Sequence, residues 1–361
     1  MSNPDGATAP GPDSGPTARP DGGAGGCYDG VFLDVTQAPG AGAAYPAPQL
    51  TVTCTDDTLT VQSNTIPHYT FVPITPNPLR AVNNSWSIPR NPQRAAQPTT
   101  IPLLGDVGFA VNGVPFFGPN EAGQPTAQMF GDPIFNDIMD ECLGHTAMEY
   151  HYHALVEKCL TIAGLVAEPW LGPDPAANEP SPILGFALDG FPIYGSRGCV
   201  DATCSQVVEH KSSYDRVGDP TTNAWDAYQY NAKNSPEFLD RCNGHEGPDG
   251  DYHYHATSDF PYIIGCYTGT PAARGGGGGG GCGGGGMMPP NPDGGTPMMG
   301  PRPCTSDADC VGACPPGSQG CTCNQSPIGQ ICVPTCMTDA DCPMTPRGQL
   351  RCDQNRGICR L

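Results

Sequence analysis

Residues 140–154 read DECLGHTAMEYHYHA, and the pattern returns a hundred residues later, at 240–256, as DRCNGHEGPDGDYHYHA. Each copy runs Asp-x-Cys-x-Gly-His, then a short spacer, then an acidic residue followed by YHYHA. Histidine is scarce in this chain, 8 in 361 residues, yet six fall inside the two copies: His145, His151, His153, His245, His253 and His255. A rare residue gathered twice in one pattern needs a chemical reason.

Alternation supplies part of it. Side chains two apart in a strand point to one face. Glu149, His151 and His153 then share a face, as do Asp251, His253 and His255, while Tyr150, Tyr152, Tyr252 and Tyr254 turn to the packed side. Two imidazoles roughly 7 Å apart along a strand can converge on one ion. His145 and His245 arrive on a separate turn, which Gly144 and Gly244 let bend sharply, and offer a third nitrogen.

A second echo precedes each motif: GFAVNGVPFFG at 108–118 and GFALDGFPIYG at 185–195. Apolar residues around Asn-Gly or Asp-Gly are the strongest short-range hairpin signal, so Asn112 and Asp189 are read as turn residues. Hairpin and histidine motif recur in the same order, 77 residues apart for the hairpins and 100 for the Gly-His pairs. The mismatch points to an insertion in the second half, at 199–236. Strands are also expected at 28–35, 50–54 and 59–62, irregular chain at 73–102, and short helices at 133–139 and 155–167. The expected fold is mainly β: two pseudo-repeated β-hairpin/strand units in one disulfide-braced domain, plus a small disulfide-rich C-terminal module.

Composition sets the boundaries. Residues 1–26 are Gly, Pro, Asp, Ser and Ala with almost nothing large and apolar, the composition of a disordered stalk. Residues 27–270 form the domain. Residues 271–303, with seven consecutive glycines and the pairs Met287–Met288 and Met298–Met299, form a linker. Residues 304–361 repeat on their own scale, CTSDADC at 304–310 matching CMTDADC at 336–342.

Nineteen cysteines are too many for a reducing cytosol. Eight lie in the domain (Cys27, Cys54, Cys142, Cys159, Cys199, Cys204, Cys242, Cys266) and ten in the tail, with Cys282 alone among glycines. Even counts in two blocks imply disulfide frameworks and an oxidising compartment, so a secreted, periplasmic or cell-surface location is expected. Residues 1–26 lack the apolar core of a signal peptide, and a leader trimmed from this sequence is the expectation. The net charge of −20 argues against nucleic acid as a partner, and no apolar run is long enough for a transmembrane helix.

The doubled GH…YHYHA motif, the two hairpins and the segment NTIPH at 64–68 together resemble the YHYH domain family of extracellular proteins, over 27–269. That family is named for its motif, so the resemblance implies the domain and leaves the chemistry to the residues. The second copy departs from the first in its spacer, six residues between His245 and Tyr252 against four between His145 and Tyr150. The two sites need not be equivalent. The tail resembles Cys-rich repeats appended to bacterial surface proteins and is expected to dock a cell-surface or protein partner.

Metal binding by the six histidines outweighs a purely packing role because there are two matched clusters. His68, stiffened by Pro67, and Glu149 and Asp251 are candidate additional ligands or bases. Asp140 and Asp240 either accept from the far nitrogen of a ligating ring or cap the turn before Gly-His. His210, in the polar insertion, is expected at the surface. Three imidazoles suit copper or zinc; two plus a carboxylate would suit non-haem iron. The oxidising setting and the methionine pairs favour copper, with zinc as alternative. Three functions remain open: an exported copper- or zinc-binding protein, a zinc hydrolase with Glu149 or Asp251 as base, and an adhesion module whose histidines are structural.

Overall fold

The structure is a computed structural model. It describes residues 27–122, 130–147, 149–162 and 165–272, and in the tail residue 310 and segments 321–326, 329–338, 342, 344–345, 348–349, 351–353 and 358–360. The chain divides into two compact units, Met1–Cys282 and Gly283–Leu361.

The two hairpins meet at the centre of the larger unit. Three strands precede them, β1 (Leu50–Cys54), β2 (Thr58–Ser63) and β3 (Asn84–Pro89), which pair as an antiparallel sheet in that order; β4 is Arg94–Thr100. The first hairpin is β5 (Asp106–Ala110) and β6 (Pro115–Phe117). The first motif supplies β7 (Gly144–Thr146) and β8 (Tyr150–Tyr152), followed by the short helix α1 (Glu157–Thr161). The second hairpin is β9 (Ile183–Ala187) and β10 (Pro192–Tyr194). The insertion folds as β11 (Arg197–Cys199) with β12 (Val207–Glu209), and β13 (Tyr214–Arg216) with β14 (Tyr228–Tyr230). The second motif supplies β15 (Gly244–Glu246) and β16 (Tyr252–His255), and β17 (Cys266–Gly269) pairs with β4.

One eight-stranded sheet runs β15-β16-β10-β9-β5-β6-β8-β7, an order that reads the same from either edge. At its middle β5 and β9 pair antiparallel, Phe109 opposite Phe186. Each YHYH strand adds in parallel to the outgoing strand of its own hairpin, Phe116 opposite Tyr152 and Ile193 opposite Tyr254. Both hairpins turn through three residues. A bond from Gly113 N–H to Ala110 O of 2.8 Å, and one from Gly190 N–H to Ala187 O of 2.9 Å, close the turns. The glycines then take the left-handed conformation, φ 79° and 92°, which a Cβ disfavours. Tyr150, Tyr152 and Tyr254 are buried with Phe109, Phe116 and Phe186 in one hydrophobic core. The histidine face is covered as well, so β8 and β16 are buried on both sides.

All eight domain cysteines are paired: Cys27–Cys54, Cys142–Cys159, Cys199–Cys204 and Cys242–Cys266. Two of these bridges anchor the turns that begin the histidine motifs. Among the described residues, no helix is long and apolar enough to cross a membrane.

Three expectations differ from what is found. Residues 28–35 make turns and a 3-10 segment rather than a strand, with Phe32 stacked on Phe186 at 5.7 Å as a cover on the core. The 73–102 stretch contains β3 and β4; its prolines hide the alternation that buries Trp86 and Ile88. Residues 133–139 form successive turns started by Asp132, whose Oδ1 accepts from Ile134 N at 2.9 Å, and no helix follows.

In the smaller unit β18 (Cys321–Ser326) pairs with β19 (Gly329–Pro334), β20 (Met344–Thr345) with β21 (Gly348–Gln349), and β22 (Arg351–Asp353) with β23 (Ile358–Arg360). Cys336–Cys352 and Cys342–Cys359 brace it. The expected stalk, the glycine tract with Cys282 and both methionine pairs lie outside the described residues.

Candidate metal centres

Strand register builds the first cluster. β7 and β8 are antiparallel with His145 opposite His151, and His153 follows two residues on, on the same face. The Nε2 atoms of His145 and His151 lie 3.0 Å apart, and those of His151 and His153 3.1 Å. Each Nδ1 faces a backbone carbonyl: Ile138 for His145 (3.1 Å), Glu149 for His151 (3.0 Å) and Gly118 for His153 (2.6 Å). A carbonyl only accepts, so Nδ1 carries the proton and donates, and Nε2 of the neutral ring is a bare lone pair. Three lone pairs therefore face one another.

A fourth donor closes the cluster. Glu121 Oε2 lies 2.7, 3.7 and 3.1 Å from the Nε2 atoms of His145, His151 and His153. Donors at the corners of a tetrahedral zinc-type site sit about 3.3 Å apart when each is about 2.0–2.1 Å from the ion. The measured edges bracket that value. All four side chains are no more than 5% exposed, and Phe117 stacks on His151 at 3.8 Å. Burial lowers His145 and pushes His151 down to about 3. Both of these rings are neutral at physiological pH, the form able to ligate.

The second cluster repeats the geometry with a different surround. His245 stands opposite His253 across β15 and β16. His245, His253 and His255 place their Nε2 atoms at the corners of a triangle with 3.1 Å sides. Nδ1 of His253 donates to Asp251 O at 3.2 Å and that of His255 to Gly195 O at 2.6 Å. Gly118 and Gly195, the last residues of the two hairpin sequences, thus orient His153 and His255 in the same way. Burial lowers His245 to about 4, His253 to about 3, and His255 well below the ordinary histidine range. His245 is only half-buried, so this cluster is nearer solvent than the first.

The two clusters stand on opposite flanks of one sheet. Five strand spacings separate β8 from β16, about 24 Å at about 4.8 Å each. The two clusters are therefore separate in space.

The remaining candidates fall elsewhere. His68 is buried away from both clusters, its Nδ1 paired with Asn112 Nδ2 at 3.1 Å, and burial lowers it to about 4. Glu149 accepts from Asn84 Nδ2 at 2.6 Å, and the Asp251 side chain is exposed; neither joins the imidazoles. Asp140 Oδ1 accepts from Cys142 N at 2.9 Å and Gly144 N at 3.0 Å, while Oδ2 takes the Tyr150 hydroxyl at 2.6 Å. Asp240 repeats this with Cys242 N, Gly244 N and Tyr252 at 2.8, 3.1 and 2.9 Å. Both aspartates are turn caps that also clamp a tyrosine, and they touch no ligating ring. Burial raises Asp140 to about 6. Asn112 and Asp189 hold the second tyrosine of each motif, by 3.0 Å to Tyr152 and 2.6 Å to Tyr254.

One residue changes its reading, and another had none in the sequence. His210 is not at the surface: it is 3% exposed, and its ring centroid lies 4.4 Å from His245 and 4.2 Å from His255. Glu121 carries no motif of its own. It follows Gly118 by three residues, and the same offset from Gly195 gives Gly198, so the repeat offers no signal for it.

The fold and its clusters define the class: a mainly β domain with paired cysteines and two His-rich clusters able to hold a metal ion. The family model described as YHYH protein matches residues 85–269, and the chain belongs to that family. No curated protein and no solved structure matches the chain.

Proposed function

We propose that this is an exported protein whose YHYH domain binds transition-metal ions at two separate mononuclear centres, with copper favoured and zinc the alternative. One observation carries the reading: in each cluster, imidazole Nε2 atoms are held 3.0–3.1 Å apart, with carbonyls fixing the proton on the far nitrogen of five of the six rings. Neutral rings so arranged repel unless a cation sits between them. Imidazole ligation suits both ions, and at a given nitrogen site Cu²⁺ binds more tightly than Zn²⁺. The disulfides support an oxidising compartment.

Storage, delivery or structural binding fits the first centre better than hydrolysis. A catalytic zinc keeps a position for water, and in the first cluster Glu121 stands in that fourth position. Glu149, the candidate base, is turned to Asn84. The Cys-rich tail is assigned to docking at the cell surface.

The test is metal counting on the full chain, stripped with chelator and dialysed against Cu²⁺ or Zn²⁺. Two tightly held ions per chain are expected. A chain that retains none after loading would leave the histidines a structural role and the protein an adhesion module.

A further inference from the structure

The fourth position differs between the two centres. The first cluster has Glu121. Among the described residues the second has no carboxylate: His210, His245 and His255 offer donor atoms within 4.8 Å of one another, and His253 joins His245 and His255 through the 3.1 Å triangle. His210 follows β12, where its N–H donates to Ser196 O at 2.6 Å and the next N–H, of Lys211, to Glu237 O at 2.7 Å. Those bonds fix the backbone and leave the ring turned onto His245 and His255. The ring is 3% exposed, and neither of its nitrogens has a hydrogen-bond partner. Buried polar groups are ordinarily satisfied, and one that is not calls for an ion or a water.

We infer that His210 is the fourth ligand of the second centre, which makes that centre an all-imidazole copper site distinct from the His₃Glu first centre. This rests on the metal-binding reading above. Its added content is the ligand count and the difference between the sites. Exchanging a carboxylate oxygen for an imidazole nitrogen moves a site away from the oxygen-preferring ions and towards copper. The insertion within the second half is therefore functional: it carries in the donor that Gly198 cannot supply.

The experiment uses the full chain with His151→Ala and His153→Ala, which leaves the second centre alone, loaded with one equivalent of Cu²⁺. Electron paramagnetic resonance should show four nitrogen ligands. His210→Phe, which fills the same buried space, should show three and bind Cu²⁺ about tenfold or more weakly in competition with a chelator. His210→Gln serves as a second variant should the bulkier ring disturb folding. The expected result is that both variants lose one nitrogen while circular dichroism is unchanged. Copper held by three nitrogens in the parent, with unchanged affinity in both variants, overturns the inference and leaves the metal-binding reading intact. Copper bound by neither the parent nor the wild-type chain sinks that reading itself.

Discussion

His145 and His151 face each other across β7 and β8 with their Nε2 atoms 3.0 Å apart, and His245 and His253 repeat the pairing at 3.1 Å. Directly opposed residues of an antiparallel pair bring their side chains closest. The Gly-His strand thus delivers one imidazole across the ladder, and the YHYH strand delivers two more at a spacing of two. The register is the same in both copies, Gly144 opposite Tyr152 and Gly244 opposite Tyr254. The two additional spacer residues of the second copy are absorbed in the turn, where Gly250 takes φ 88°.

Separate centres make separate losses. His151→Ala combined with His153→Ala removes two of three imidazoles from the first cluster and touches nothing in the second, about 24 Å away by strand spacing. Bound metal should fall from two ions per chain to one, measured by elemental analysis after loading. Loss of both ions together, in a chain that keeps its far-ultraviolet spectrum, would show that the centres depend on each other.

The repeated hairpins and the period-two histidines made the central sheet and both triads legible in the sequence, because strand alternation is a local property. What remained hidden was tertiary. Glu121 comes from the chain leaving β6, 24 residues before His145, and its counterpart by offset is Gly198. His210 sits in a polar stretch whose composition suggested surface, yet its ring is packed against His245 and His255. Asp140 and Asp240 lie beside the motifs in sequence, but Cys142, Gly144, Cys242 and Gly244 N–H groups claim them. Proximity along the chain was a poor guide to what a carboxylate touches.

Glu121→Gln tests the fourth donor. The amide keeps the volume of the side chain but loses the charge that offsets a buried cation. Affinity at the first centre should drop by about 100-fold or more, since even groups that only orient a ligand are worth about 10–100-fold. The second centre should be unaffected. Competition titration with a chromophoric chelator reads both, and equal weakening at the two centres would contradict the assignment.

The packed face can be tested apart from metal. Tyr69 Oη lies 3.0 Å from the Tyr150 hydroxyl and 2.6 Å from that of Tyr152, and all three rings are buried. Tyr69→Phe leaves two buried hydroxyls short of a partner, a loss of about 1–3 kcal/mol. Urea unfolding of the metal-free protein should show the midpoint lowered with an unchanged slope. A neutral result would mean that the Asp140 and Asn112 contacts to Tyr150 and Tyr152 suffice.

Acid should weaken the metal-free fold well above the range where carboxylates protonate. Burial lowers His151, His253 and His210 to about 3 and His68 and His245 to about 4, against about 6.5 for the unfolded chain. Below pH 6.5 the unfolded chain binds protons that the folded one refuses, so stability is lost as pH falls from there towards the folded values. At about 1.36 kcal/mol per pH unit, one such histidine is worth about 3 kcal/mol at pH 4. Asp140 works the other way: raised to about 6 by burial, it keeps a proton in the fold between about pH 6 and pH 4 that the unfolded chain has released. Burial raises Asp132, Asp189 and Asp240 as well and lowers His145 and His255, and four carboxyls set against seven imidazoles do not reverse the slope. Thermal melts from pH 7.5 to 4.5 should therefore give a Tm that declines steadily below pH 6.5. A Tm that stays level to pH 5 would show that these rings accept protons without unfolding, and would undo the neutral-imidazole arrangement on which both centres depend.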